Sequence, residues 1–264
     1  MRVSNYGEIM RLLTSTSEHN SSFSKLALSL ASTPEEIREV QRLRYKVFIE
    51  TMGLTALQNS EGLDQDEFDE HCDHLIVRDN RSLKIVGTYR VLGPHAARKI
   101  GRYYSESEFD LSRFEHIRGQ IAEAGRACIH PDYRSGAVIM LLWAGLAAFM
   151  RREQCNYLVG CASISLADGG LNANAICSSI KPEDMAPVDY RVTPLLPYPV
   201  STDIDTQFRS NVPPLLKGYL RAGAWVCGDP AWDPDFHCAD LFLMLPLQNL
   251  DERYSRHYLK EQAN

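Results

Sequence analysis

Apolar positions recur along this chain at two periods, and the changes from one period to the other divide it into elements. Ile37, Val40, Leu43, Val47 and Phe48 fall on one side of a 3.6-residue turn. They follow Thr33-Pro34-Glu35-Glu36, a cap, a proline at the first helical position and two acids where the helix dipole favours them. This predicts a helix from Pro34 to about residue 51, closed by Gly53. Residues 75–78 and 84–92 are apolar runs around the turn Asp79-Asn80-Arg81-Ser82, the pattern of a hairpin. From Gln120 an apolar strand carrying one acid, Glu123, and one base, Arg126, turns at His130-Pro131-Asp132 into a helical run over 135–152. That run is apolar nearly all round, which predicts burial between layers. Residues 157–163 then read as a strand covered on both faces, completing a β-α-β unit.

The flanks read differently. Residues 1–24 are rich in Ser, Thr and Asn and predict a mobile N-terminal arm. Residues 181–216 hold seven of the 13 prolines, which excludes long regular structure and predicts a proline-rich lid or binding loop. A helix over 212–224, strands over 225–228 and 239–247, and a charged terminal helix over 251–261 complete the pattern. With 264 residues, the expectation is one α/β domain over 25–264.

Composition narrows the partners. The formal net charge of −6 argues against nucleic acid, which needs a basic surface. Seven cysteines without a C-x-x-C pair indicate neither a disulfide framework nor a zinc ribbon, so the cytoplasm is the expected compartment. No apolar run is long enough to span a bilayer.

Candidate chemistry gathers at four places. Arg44 lies one turn before Phe48 on the apolar side of its helix, where its guanidinium either runs out over the core edge or points into a pocket. The acidic run Asp64-Gln65-Asp66-Glu67-Phe68-Asp69 reads as a solvated loop, as a rim of carboxylates for a cationic substrate, or, with His71, Cys72 and His74, as a metal site. Arg90 sits among apolar neighbours and requires a carboxylate, for which that loop is the obvious source. Glu123 and Arg126, three apart in an apolar strand, are where acid–base chemistry is first sought; the plain alternative makes Glu123 a structural partner of Arg126 or Arg90.

The element order resembles the GNAT acyltransferase fold, a mixed, mostly antiparallel twisted sheet flanked by helices. Tyr219-Leu-Arg-Ala-Gly223 is similar to the tyrosine-bearing helix near the end of such enzymes, and Arg134-Ser135-Gly136-Ala137 to their phosphate-cradling turn, without its usual glycine pattern. Arg44-x-x-x-Phe48, Asp66-Glu-Phe-Asp69, Arg90 and Glu123-x-x-Arg126 resemble the set shared by acyl-homoserine lactone synthases and their relatives. Asp73-His74-Leu75, Pro213-Pro-Leu-Leu-Lys-Gly-Tyr-Leu-Arg221 and the stretch from Trp225 to Phe236 look like the hemolysin-like, acyl carrier protein-dependent L-ornithine Nα-acyltransferases.

That resemblance implies transfer of a 3-hydroxyacyl group from acyl carrier protein to the α-amino group of ornithine, the first step towards ornithine lipid. Glycine, lysine or an autoinducer precursor is the alternative acceptor. It implies Glu123 as base, Tyr219 as donor of a proton to the leaving thiolate, and Arg126 as a catalytic neighbour. Arg44, Phe48, Asp66, Asp69 and Arg90 would bind the amino acid. Ala127, Cys128 and Ile129 would stabilise the oxyanion, with Arg134, Ser135 and Gly136 beside the donor's phosphopantetheine. Arg151, Arg152, Lys217 and Arg221 are candidate basic contacts for the acidic carrier. No resident cofactor or metal is expected, a monomer is, and the lipid product suggests peripheral contact with the inner membrane.

Overall fold

The computed structural model describes residues 25–51, 53–54, 58–201 and 208–250; the predicted arm over 1–24 and terminal helix over 251–261 lie outside the described residues. The chain packs as two compact units. The first takes the described residues up to Ala96 and then Ala124–Glu153; the second takes Ala97–Glu123 and the described residues from Gln154 on.

In the first unit β1 (Leu26–Leu30), which the sequence pattern does not reveal, pairs antiparallel with β2 (Asp73–Asp79), and β2 pairs antiparallel with β3 (Ile85–Leu92). Between β1 and β2 lies α1 (Pro34–Tyr45), with Thr33 as its N-cap accepting the Glu36 amide at 3.2 Å. Over Lys46–Thr51 the helix widens into a π turn, and Gly53, at φ +77°, donates to the Ile49 carbonyl at 3.1 Å. Every residue of β3 is buried, as fits a strand covered on both faces. The later part of β5 (Ile121–Ile129) lies beside β3, and α3 (Ala137–Arg152) packs on β1, β2 and β3. Gly145 allows this approach: a Cβ there would stand 2.8 Å from Leu75 Cδ2.

The second unit follows α2 (Pro94–Ile100), which the sequence reading takes as part of a polar link. Its β4 (Phe109–Asp110) precedes the first residues of β5, where Ile121, Ala122 and Glu123 pair parallel with Tyr157, Leu158 and Val159 of β6 (Tyr157–Ser165). Then come α4 (Leu171–Ser179), absent from the sequence prediction, β7 (Thr193–Pro194), α5 (Pro214–Ala222), β8 (Trp225–Val226), β9 (Ala231–Asp233) and β10 (Cys238–Pro246). β10 runs antiparallel to β6 along nine residue pairs, from Cys238↔Ser165 to Pro246↔Tyr157, and also pairs with β8 and β9. β5–β6 is thus a parallel pair among antiparallel ones, the mixed sheet that the GNAT resemblance implies.

The proline-rich stretch departs from the expected lid. Amides of Ala186, Val192, Leu195 and Tyr198 donate to the Val226, Cys227, Glu108 and Pro230 carbonyls at 2.7–2.9 Å, and β7 pairs with β4. Its described part is therefore sewn into the wall of the second unit at intervals of a few residues. No described helix is long and apolar enough to cross a membrane.

Candidate active site

α1, the loop before β2, the strand β3 and the later part of β5 bring six charged side chains of the first unit into one network. Arg44 is fully buried: Nε donates to Asp64 Oδ2 at 2.6 Å, and Nη1 and Nη2 donate to the two oxygens of Asp69 at 3.0 and 2.9 Å. Arg90 Nη1 donates to Asp66 Oδ1 at 2.5 Å and Asp69 Oδ1 at 2.8 Å, and its guanidinium stands 5.8 Å from the centre of the Phe68 ring. Arg126 reaches Asp66 Oδ2 at 3.3 Å and Asp64 Oδ2 at 3.5 Å. It does so from a left-handed backbone, φ +52°, uncommon for a residue with a side chain, next to Gly125. Gln41, one turn before Arg44, donates to Asp69 Oδ2 at 3.0 Å.

Three guanidinium groups thus face three carboxylates. Burial opposes ionisation of Asp69, but hydrogen bonds and charge from Arg44 and then Arg90 outweigh it and hold its carboxyl far below the usual range. This corrects two expectations. Arg44 does not run out over the core edge, and Asp69, buried with four donated bonds, is not part of an open rim for an ammonium group. The metal alternative also fails: His74 is buried and donates from Nε2 to the Asp69 carbonyl at 3.1 Å, and burial keeps its ring neutral. Among the described residues, His71, Cys72 and His74 do not converge with Asp69 on a common point. Phe48 packs against the cluster of Val40, Leu43, Val47, Ile76, Ile85 and Cys128.

Glu123 belongs to the second unit and is buried there. Its Oε2 accepts the Tyr104 amide at 2.6 Å, and its Oε1 accepts the Ser105 amide at 2.9 Å and the Ser105 hydroxyl. The carboxylate therefore ties down the 3-10 turn Tyr104–Ser107, which Tyr103 anchors further through its hydroxyl to the Arg118 and Ile121 carbonyls at 2.9 and 3.0 Å. At least three of its four lone-pair positions are occupied. Arg126 and Arg90 are both engaged by Asp66.

A second acidic group of this unit has no counterpart in the sequence reading. Asp233, Cys238 and Asp240 bring their ligand atoms within 4.8 Å of one another, and Glu108 shares a hydrogen bond with Asp240. Burial first, then the Asp240 charge, pushes the Glu108 carboxyl up to about 9, and burial raises Asp240 as well, so the pair retains a proton at neutral pH. Glu108 Oε2 is buried without a hydrogen-bond partner. Among the described residues no lysine or arginine forms an ion pair with Glu108, Asp233 or Asp240. The signal that could have found them is an acid, Asp240, inside the otherwise apolar run of β10.

Of the remaining candidates, Tyr219 is half-buried on α5, packed against a cluster that includes Leu216, Val226 and Leu241. Ala127 and Ile129 are half-buried and Cys128 is buried, with its thiol pushed up to about 12 by that burial. A thiol held neutral gives no covalent acyl route. Arg134 and Ser135 are exposed, and Gly136, at φ +100°, opens α3. Arg152 pairs with Asp73 at 2.5 Å and Glu153 at 2.8 Å.

Residues 43–144 match the family model described as the acetyltransferase (GNAT) domain. Among solved structures, the CoA-dependent acyl-homoserine lactone synthase BjaI shares the fold, with TM-score 0.50 and 16% identity over 86% of this chain and 85% of that one. So does the acyl-homoserine lactone synthase LasI, with TM-score 0.50, 12% identity, and 89% and 94% coverage. A Brucella abortus protein named L-ornithine N(alpha)-acyltransferase is 34% identical over 88% of both chains. One of that name from Rhodobacter capsulatus is 30% identical over 88% of this chain and 94% of its own. The chain is an N-acyltransferase of GNAT fold, and it belongs to the L-ornithine N(alpha)-acyltransferase family.

Proposed function

We propose that this enzyme transfers a 3-hydroxyacyl group from acyl carrier protein to the α-amino group of ornithine, giving lyso-ornithine lipid. The observation that carries this reading is the match, at 30–34% identity over 88% of the chain, to relatives named for ornithine. Ornithine brings two ammonium groups. The carboxyls of Glu108, Asp233 and Asp240, unlike those of Asp64, Asp66 and Asp69, are not neutralised by arginine among the described residues, which favours a dibasic substrate over a neutral one.

In this mechanism the α-ammonium loses a proton before attack on the thioester. Glu123 accepts it directly or through one water, using lone-pair capacity that the Tyr104–Ser107 turn leaves, and the same bonds fix its position. Backbone amides near Ala127, Cys128 and Ile129 receive the oxyanion, a contribution of about 3–4 kcal/mol per well-placed donor. Tyr219 protonates the departing thiolate. Arg44, Asp66, Asp69, Arg90 and Arg126 act as a frame that holds the loop before β2 against β3 and β5. No resident cofactor takes part; the acyl group arrives on phosphopantetheine. The enzyme works as a monomer in the cytoplasm and releases its amphiphilic product at the inner membrane.

The deciding experiment incubates purified protein with 3-hydroxyacyl carrier protein and ornithine, lysine, glycine or S-adenosylmethionine, with products read by mass spectrometry. Acyl-ornithine should dominate; preference for another amine overturns the acceptor. Glu123→Gln should lower turnover by at least about a hundredfold. Unchanged turnover per folded molecule, with a lower melting temperature, would assign Glu123 to the turn alone.

A further inference from the structure

Four segments of the first unit converge on His130, and three of them bring a cation. His130 directly follows β5, its amide donating to the Val86 carbonyl at 2.9 Å, which sets it beside the start of β3. Lys84 immediately precedes β3 and is exposed. Lys46, at the first position of the π turn, is exposed and places Nζ 3.1 Å from His130 Nε2. Arg134 is exposed and donates from Nε to the Ile129 carbonyl at 3.4 Å. The charges of Lys46, Lys84 and Arg134 all act on the His130 ring and, behind burial, help keep it neutral. Asp132, on the same turn, opposes them: it is 81% exposed and 3.7 Å from His130 Nδ1, and its charge acts on the ring more strongly than that of Lys84 or Arg134, though less than that of Lys46. The sixteen-residue helix α3 starts three residues after Arg134 with no acid in its first turn, so its dipole adds positive potential at the same place.

This local field matters because the molecule as a whole is negative, 28 bases against 34 acids, a net charge of −6. An acidic partner is repelled by most of such a surface and lands where the sign reverses. We propose that Lys46, Lys84 and Arg134, gathered round His130 before α3, form the docking face for the acidic carrier protein that delivers the acyl group. The inference rests on the carrier-dependent reading given under the proposed function. This is a different face from that of Arg151, Arg152, Lys217 and Arg221, of which Arg152 pairs with Asp73 and Glu153. Lysines on long stems, displayed at the surface from separate segments, suit steering of a whole acidic face. They suit less well the close grip of a nucleotide pyrophosphate, for which Arg134-Ser135-Gly136-Ala137 lacks a glycine-rich cradle.

The test is the double variant Lys46→Glu/Lys84→Glu, with Lys46→Gln/Lys84→Gln as a milder form, both checked for unchanged melting. Binding of fluorescently labelled acyl carrier protein is measured by anisotropy against salt concentration. The wild type should bind with clear salt dependence, the neutral variant more weakly, and the charge-reversed one at least about tenfold more weakly with the salt dependence flattened. KM for ornithine should stay within about twofold, since a rim charge acts on the encounter with its own partner. Equal binding by wild type and charge-reversed variant overturns the proposal, as does an equal loss with acyl-CoA, which would mark a phosphate contact instead. Turnover of the wild type with acyl carrier protein separately tests the carrier-dependent reading. A wild type that binds through this face without turnover would fault that reading and leave the docking face standing.

Discussion

At the scale of single residues, Arg44 has the most to lose by substitution. It is fully buried, and its two carboxylate partners are 11% and 4% exposed, so its removal leaves buried negative charge without compensation. Arg44→Ala should destabilise the protein by about 3–5 kcal/mol, and Arg44→Lys by somewhat less because an ammonium cannot span both oxygens of Asp69. A chemical denaturation midpoint checks this; an unchanged midpoint would show that water reaches the network. The sequence made Arg90 visible because a charge among apolar neighbours demands a partner, and Arg44, Asp66, Asp69 and Arg126 through motifs that resemble those of acyl-homoserine lactone synthases. It did not reveal which carboxylate each guanidinium takes, since that depends on how the 54–73 loop folds back. Nor did it reveal Asp64, which completes the set from within the same acidic run. Glu108 and Asp240 were illegible as a pair because they stand 132 positions apart (240 − 108) and nothing local to either announces the other.

Among the elements, those with strong periodicity and clear end signals were legible: α1 with its Thr33 cap, the β2–β3 hairpin, β5, and α3 with its all-round apolar surface. Thr33→Ala should cost about 1 kcal/mol, read from the same denaturation midpoint. Short or weakly patterned elements were not legible. β1 is five residues long, and α4 has almost no amphipathic contrast. The widening to a π turn after Tyr45 has no signature in a 3.6-residue period. Gly223 is a clearer case: it closes α5 at φ +100°, and a Cβ there would collide with the Asn249 carbonyl oxygen. Gly223→Ala should destabilise by about 1–3 kcal/mol. Thermal melting checks it, and a neutral result would mean that the segment at Asn249 moves aside.

For the whole molecule, stability should be bounded on both sides of the pH scale by different groups. The Asp69 carboxyl is depressed, so its contribution is fully present above its unfolded value of 3.8 and is lost as pH falls below it. Glu108 is raised from 4.5 to about 9, so the folded chain holds a proton that the unfolded chain releases, and stability declines as pH climbs through that interval. Glu108→Gln should flatten the decline between about pH 5 and about pH 9, measured by denaturation at several pH values. A slope identical to wild type would mean that Asp240, or another group, carries the proton. The fold class and the mostly antiparallel sheet were legible through the resemblance of the element order to the GNAT fold. The division into two units, with β5 passing from one to the other after Glu123, was not, because contact density has no signature in a run of apolar residues.

The three-against-three arrangement of Arg44, Arg90 and Arg126 with Asp64, Asp66 and Asp69 restricts how this chain can drift. A lone change strands an ion in the dry interior, whereas removing a matched couple at one stroke, Arg90→Met with Asp66→Leu for instance, strands fewer. Descendants of this sequence should therefore keep all six or lose them in twos, and a survivor lacking one alone should carry a new charge nearby that takes its place.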